Sequence, residues 1–241
     1  MATALPPATT LRVAVCISDE VTLSDFVQPI EILAGINNAA TPPPLPGYVP
    51  VNVPFRVVFD YLAPKMQPVV SAFGPSLATL NPSKTYAEAM ASGLQYDILW
   101  VPAGPQPNAF TGVDRTPPEE IAFIRMQAPG AKYILSVCSG ALQLALAGVL
   151  NGKKATTNKA FYRVITETAS TASEIDWQPK ARWVVDGNVW TSSGVAAGSD
   201  MALAFLEHLA GAKLARQVRG LVEIPEVSQD FDPFAEFHGL V

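Results

Sequence analysis

Among the side chains of this sequence that could act as nucleophiles, Cys138 has the most telling neighbours. It ends the apolar run "YILSV" and is followed directly by Ser139, Gly140 and "ALQLALAG". That order reads as a buried strand, a sharp corner and a helix. A thiol at such a corner lies near a helix N-terminus, where free N–H groups and the helix dipole favour an anion and draw the thiol toward its reactive thiolate. Small residues at 139 and 140 let the chain turn and leave backbone donors facing a developing oxyanion. This is the logic of a nucleophile elbow, suited to covalent attack on an electrophilic carbon. Composition alone allows a buried structural cysteine equally well. The other cysteine, Cys16, stands inside "LRVAVCI" and reads as a small buried hydrophobe. With only two cysteines in the chain, the expectation is a reducing, cytoplasmic setting.

The elements that must position Cys138 alternate in type. Strands are expected at Leu11–Ile17, Phe55–Ala63, Gln67–Phe73, Tyr96–Gly104, "KYILSV" and "KATT". Helical patterns fall at Leu23–Asn37 (interrupted by Pro29), at "TPPEEIAFIRMQA" with Pro and Glu at its start, at "SGALQLALAG" and at about 159–169. A hairpin, "ARWVVDGNVWTSS", turns at Asp186, Gly187 and Asn188. One long closing helix runs from Ser199 to Gly220, with Ser199 or Asp200 as its cap. Buried strands alternating with helices imply an α/β domain with a mainly parallel sheet, whose ligands bind beyond the carboxyl ends of the strands. Cys138 lies at such an end. The Pro-rich stretch at 41–54 reads as a surface loop, so one domain is expected across 1–241, with a core at about 12–211 and a C-terminal extension at about 212–241.

Several function classes are disfavoured. The 241 residues are 49% hydrophobic and 15% charged, with a net charge of −5, which suits a compact domain and argues against nucleic acid as a partner. No run approaches the roughly 18–20 apolar residues of a membrane helix, and "MATALPPATT" has no secretory pattern. There is no close-spaced His/Cys set and no G-x-x-x-x-G-K, so neither a metal nor a nucleotide cofactor is expected.

Three separated motifs, "DILWVPAG", "SVCSGALQLALAGVLNGKKATTN" and "TSSGVAAGSDMALAFLEHLAG", resemble the ThiJ/PfpI superfamily of the class I glutamine amidotransferase-like fold. The resemblance runs from about Arg12 to Gly211 and implies a flavodoxin-like α/β sandwich, commonly a homodimer. It implies that Cys138 is the elbow nucleophile, and that Ser139 and Gly104 present backbone N–H groups to the substrate. Ala103 stands where many members have glycine. Members also place a carboxylate beside the cysteine sulfur, four residues before a proline, and here that residue is Asp25 before Pro29. Such a carboxyl and thiol share a proton and titrate as a unit. Without the resemblance, Asp25 reads as a helix cap.

Many members carry a histidine after "ATT", where this chain has Asn158, a residue that can bind or cap but not act as a base. Its two histidines, His208 and His238, are far along the chain from the elbow. The subgroup that best matches Asp-plus-Cys chemistry is isocyanide hydratase, which hydrates R–N≡C to an N-formamide. The alternatives are a glyoxalase-like enzyme acting on 2-oxoaldehydes and a non-enzymatic cysteine redox sensor or binding protein. Phe26, Phe110, Phe161, Trp183 and Trp190 are the candidates for lining an apolar small-molecule pocket.

Overall fold

The computed structural model describes residues 9–108, 111–169 and 174–241. Its centre is a seven-stranded sheet built from β1 (Thr9–Cys16), β2 (Phe55–Ala63), β5 (Lys84–Thr85), β6 (Ile98–Val101), β7 (Tyr133–Ser136), β10 (Trp183–Asp186) and β11 (Val189–Ser192), in the order β10-β11-β7-β6-β1-β2-β5. Every neighbouring pair is parallel except the β10–β11 hairpin at one edge. The flavodoxin-like α/β arrangement with helices on both faces is the one the alternating pattern implies.

Each central strand is apolar on both sides, as a covered parallel strand must be. In β1, Val13 and Val15 face one core with α1 (Val27–Ala34), α6 (Val195–Ala210) and α7 (Ala212–Val222). Ala14 and Cys16 face the other core with α2 (Tyr86–Ala91), α3 (Pro118–Gln127), α4 (Gly140–Leu146) and α5 (Tyr162–Thr168). In β6, Ile98 and Trp100 join the first core and Leu99 and Val101 the second. Cys16 is therefore the small buried hydrophobe its sequence context suggests.

Local chemistry accounts for several boundaries. Pro118 opens α3, where its missing N–H costs nothing, and Thr85 with Glu88 forms a capping box on α2. Pro29 does not interrupt its helix. It sits in the first turn of α1, after a short 3-10 turn at Leu23–Asp25, where no N–H is needed. The long closing helix is two helices, because Gly211 takes φ +86° between α6 and α7. Gly194 caps α6; Ser199 and Asp200 are buried inside the helix, bonding Gln28 and Arg182. Two expected strands shrink. From Gln67–Phe73 only β3 (Val69–Val70) forms, pairing with β4 (Thr79–Leu80) outside the main sheet. From "KATT" only β8 (Lys154–Ala155) forms, pairing with β9 (Asp176–Trp177).

The segment after α7 returns to the molecule. Gln229 O accepts from Arg182 N at 2.8 Å, Asp232 N donates to Lys180 O at 2.7 Å, and Gly239 O accepts from Arg163 Nη2 at 2.6 Å. A short helix, α8 (Phe234–Phe237), ends it. Among the described residues no helix is long and apolar enough to cross a membrane.

Candidate active site

Cys138 follows β7 with φ +60°, a left-handed conformation that costs a side chain-bearing residue about 1–3 kcal/mol. The surroundings hold it there. Its N–H donates to Ser193 O at 2.9 Å, its carbonyl accepts from Thr157 Oγ1 at 2.8 Å, and Val137 N donates to Val101 O at 3.0 Å. Gly140 starts α4 so close to β6 that a Cβ there would lie 2.1 Å from Val101 O. The corner needs glycine for contact with its neighbour, beyond any need for a tight turn.

Three of the expected residues meet at the sulfur. Asn158 Nδ2 donates to Cys138 Sγ at 3.1 Å while its Oδ1 accepts from Phe161 N at 3.1 Å. Asn158 does not cap the following helix, which starts at Tyr162 after Phe161 with no side-chain cap; one end of its amide holds the turn before that helix and the other end holds the sulfur. Ser139 directs both its N–H and its hydroxyl at the thiol, and Gln106 Nε2 donates to the same hydroxyl. The third residue is Asp25, fully buried at the end of the 3-10 turn before α1. Its Oδ2 accepts from Ala103 N at 3.0 Å, and its backbone carbonyl accepts from Trp100 Nε1 at 3.1 Å. Its Oδ1 is buried without a hydrogen-bond partner, and the Cys138 thiol acts on the carboxyl by lowering its pKa.

Ala103 is placed otherwise than as a plain substrate donor. Ala103 gives its N–H to Asp25, so its role is to hold the carboxyl. A Cβ on Gly104 would meet Gln143 Nε2 at 2.8 Å and Ser18 Oγ at 3.0 Å, so this glycine lets the loop lie down on α4.

The electrostatics correct one expectation. The Cys138 thiol is pushed well above its ordinary range, first by burial and then by the Asp25 charge, against the lowering from Ser139 N–H, Asn158 and the Ser139 hydroxyl. Loss of water outweighs the N-terminus of a seven-residue helix. Burial also raises Asp25 to about 7, although the Ala103 N–H and the Cys138 thiol both lower it. Near neutral pH the pair therefore holds a thiol beside a half-titrated carboxyl, a coupled unit that keeps its last proton on sulfur.

A second buried acid went unnoticed in the sequence. Glu120, in the first turn of α3, has no solvent exposure and is raised to about 7 by burial. Gln143 Nε2 donates to Glu120 Oε1 at 3.3 Å and to Pro102 O at 3.2 Å, so this acid braces the loop that carries Ala103 and Gly104. In sequence it is one of two glutamates opening a helix, where acids are common on helix-dipole grounds.

A cavity of about 220 Å³ opens beside Asn158, with Ser193, Gly194, Phe234 and His238 in its wall. His238, remote from the elbow in sequence, shares the wall of this cavity with Asn158. His208 instead donates to or accepts from Tyr133 Oη at 3.0 Å on α6. The aromatic residues expected to line a pocket do not line this one. Phe26, Trp183 and Trp190 are in the core and Phe161 is exposed, while Phe110 lies outside the described residues. Among the described residues no three His, Cys, Asp or Glu side chains gather to hold a metal ion.

Residues 11–208 match the family model of the DJ-1/PfpI family. The isonitrile hydratase of Pseudomonas putida is 34% identical over 152 residues, 63% of this chain and 59% of that protein, so the match spans about three-fifths of that relative's length. In fold, the chain is similar to a ThiJ/PfpI family protein from Pseudomonas syringae, with TM-score 0.67, 24% identity and coverage of 93% of this chain and 79% of that one. It is also similar to Drosophila melanogaster DJ-1beta, with TM-score 0.67, 16% identity and coverage of 90% and 100%.

Proposed function

The chain belongs to the DJ-1/PfpI family, and on that premise we propose that it hydrates an isocyanide to an N-formamide, with Cys138 as nucleophile and Asp25 as the group that moves the proton. The observation that carries this reading is the buried pair itself: a thiol held beside a carboxyl that titrates near neutrality. The likeness to a bacterial isonitrile hydratase supports it.

The steps follow from where the protons sit. Sulfur attacks the terminal carbon of R–N≡C, and the thiol proton passes through the Asp25 carboxylate to that same carbon, giving the thioimidate R–N=CH–S–Cys138. As charge gathers on sulfur, the Asn158 amide and Ser139 N–H stabilise it. Water then adds across the C=N bond, hydroxyl to carbon and proton to nitrogen. The C–S bond breaks as the carbonyl forms, and the hydroxyl proton returns through Asp25 to sulfur. The sum is R–NC plus water to R–NH–CHO, with the pair restored. Asn158 carries no proton in this scheme, so the missing histidine is not needed. A homodimer belongs to the same proposal, by resemblance to the family.

The test is formamide production from cyclohexyl isocyanide, followed by ultraviolet absorbance, with methylglyoxal as the competing substrate. Wild type should turn over the isocyanide, Cys138→Ala should abolish turnover, and Asp25→Asn should lower it by roughly a hundredfold or more. The rate should rise with pH through about 7, because the working pair holds one proton and the fully protonated pair has no acceptor. Turnover of methylglyoxal with none of the isocyanide would replace this reading by the glyoxalase one.

A further inference from the structure

Helix α4, which begins at the elbow, reads GALQLAL, and Gln143 is its one polar side chain. It is buried, at a place where leucine or methionine would pack without the cost of desolvating an amide. What the amide binds is therefore the reason to look for. Both hydrogens of its Nε2 are engaged, one with Pro102 O at 3.2 Å and one with Glu120 Oε1 at 3.3 Å.

The carbonyl that Gln143 holds and the N–H that holds Asp25 belong to a single peptide unit. Pro102 supplies the oxygen and Ala103 the nitrogen, which donates to Asp25 Oδ2 at 3.0 Å. Asp25 Oδ1 is buried without a hydrogen-bond partner, so this N–H is the carboxyl's anchor on the loop side. A peptide is planar, and fixing its carbonyl also fixes the direction of its N–H. A donor on the carbonyl further polarises the unit and strengthens the bond that the N–H makes. Glu120 fixes the amide in its turn. Its carboxyl, with no solvent exposure, faces the Gln143 amide, the Ser18 and Tyr86 hydroxyls and the Cys16 thiol, and it feels the Asp114 charge.

We propose, resting on the reading of Asp25 and Cys138 as the working pair, that Gln143 is a positioning residue for that pair: held by Glu120, it fixes the Pro102–Ala103 peptide and so aims the Ala103 N–H at the Asp25 carboxyl. Gln143 acts on the pair through Ala103.

The readout is the midpoint of the pH profile of Cys138 alkylation by iodoacetamide, which follows Asp25 and is independent of turnover. The Ala103 N–H lowers the Asp25 carboxyl against the burial that raises it to about 7, so a loosened N–H moves the midpoint up. Gln143→Met keeps the volume and removes both donors. It should raise the midpoint by about one pH unit, which lowers the alkylation rate at pH 7 about fivefold. With cyclohexyl isocyanide, kcat at pH 7 should fall by a similar factor with KM unchanged, and more alkaline buffer should restore most of it. A change that only loosened the fold would not be answered by base.

Glu120→Gln is the conservative variant: its amide oxygen still accepts from Gln143, and the Ser18 hydroxyl can accept its N–H, so the midpoint should hold. Glu120→Met frees one Gln143 hydrogen and should raise the midpoint, and it carries the test if Gln143→Met does not fold. An unmoved midpoint in the folded methionine variant, or a shift in Glu120→Gln as large as in Glu120→Met, overturns the proposal. A wild type inert toward the isocyanide, whose midpoint still rises in Gln143→Met, keeps the positioning role and removes the hydratase reading.

Discussion

Replacing Asp25 by asparagine should make the protein's stability less dependent on pH, in a direction and amount that the burial of this one carboxyl dictates. In the unfolded chain the carboxyl titrates near 3.8, and in the fold near 7. A raised carboxyl pKa means that the folded state binds the proton more tightly, so stability is full at acid pH and is lost as pH rises through the interval between the two values. Moving a carboxyl over that interval costs the folded state about 4 kcal/mol once it is charged, and about 3 kcal/mol of that falls between pH 5 and 8.5. Asparagine keeps an oxygen for the Ala103 N–H and carries no charge. Urea unfolding, followed by tryptophan fluorescence at pH 5 and 8.5, should therefore show Asp25→Asn gaining about 3 kcal/mol on wild type between the two. Glu120 titrates in the same window in both proteins and drops out of the comparison. A gap that stays constant within about 0.5 kcal/mol would show that Asp25 is not the buried, near-neutral acid described here, and the proton route through it would go too.

Glu120→Gln should flatten the pH dependence of stability with the same sign and a somewhat smaller amplitude, about 3 kcal/mol, because this acid is raised from 4.5 to about 7 by burial; an unaltered urea midpoint profile would contradict its burial as an acid. Gly140→Ala should destabilise the fold by about 3 kcal/mol or more, since its Cβ would lie 2.1 Å from Val101 O on a strand that cannot retreat; a thermal scan showing wild-type stability would refute the tight approach of elbow and strand. Brief iodoacetamide treatment of the native protein should label Cys138 and spare Cys16. Both thiols are raised by burial, but only Cys138 lies behind a single amide from an open cavity, whereas Cys16 is enclosed by the Tyr86 and Glu120 side of the core. Equal labelling by mass spectrometry would defeat that distinction.

The layers and the corner are legible in the sequence. Continuous apolar runs such as "RVAVCI" and "DILWV" can only be strands covered on both faces, and the step from "YILSV" to small residues at Ser139 and Gly140 marks where the chain turns at Cys138. These are local statements, legible because hydrophobic periodicity and turn chemistry act over a few residues. What the corner does chemically depends on contacts that close across the chain. Asp25 meets Ala103 and Trp100 from more than seventy positions away, and Asn158 reaches the sulfur from twenty. In sequence, therefore, Glu120 is one of two glutamates that open a helix, His238 stands far along the chain from the elbow, and the helix end alone predicts a lowered thiol pKa. A pKa is set by the water a group loses and by the charges it gains, and both are properties of the packed interior. It is the packed fold that makes burial outweigh the helix end at Cys138, raises two carboxyls to about 7, and sets the C-terminal segment in the wall of the cavity beside Asn158.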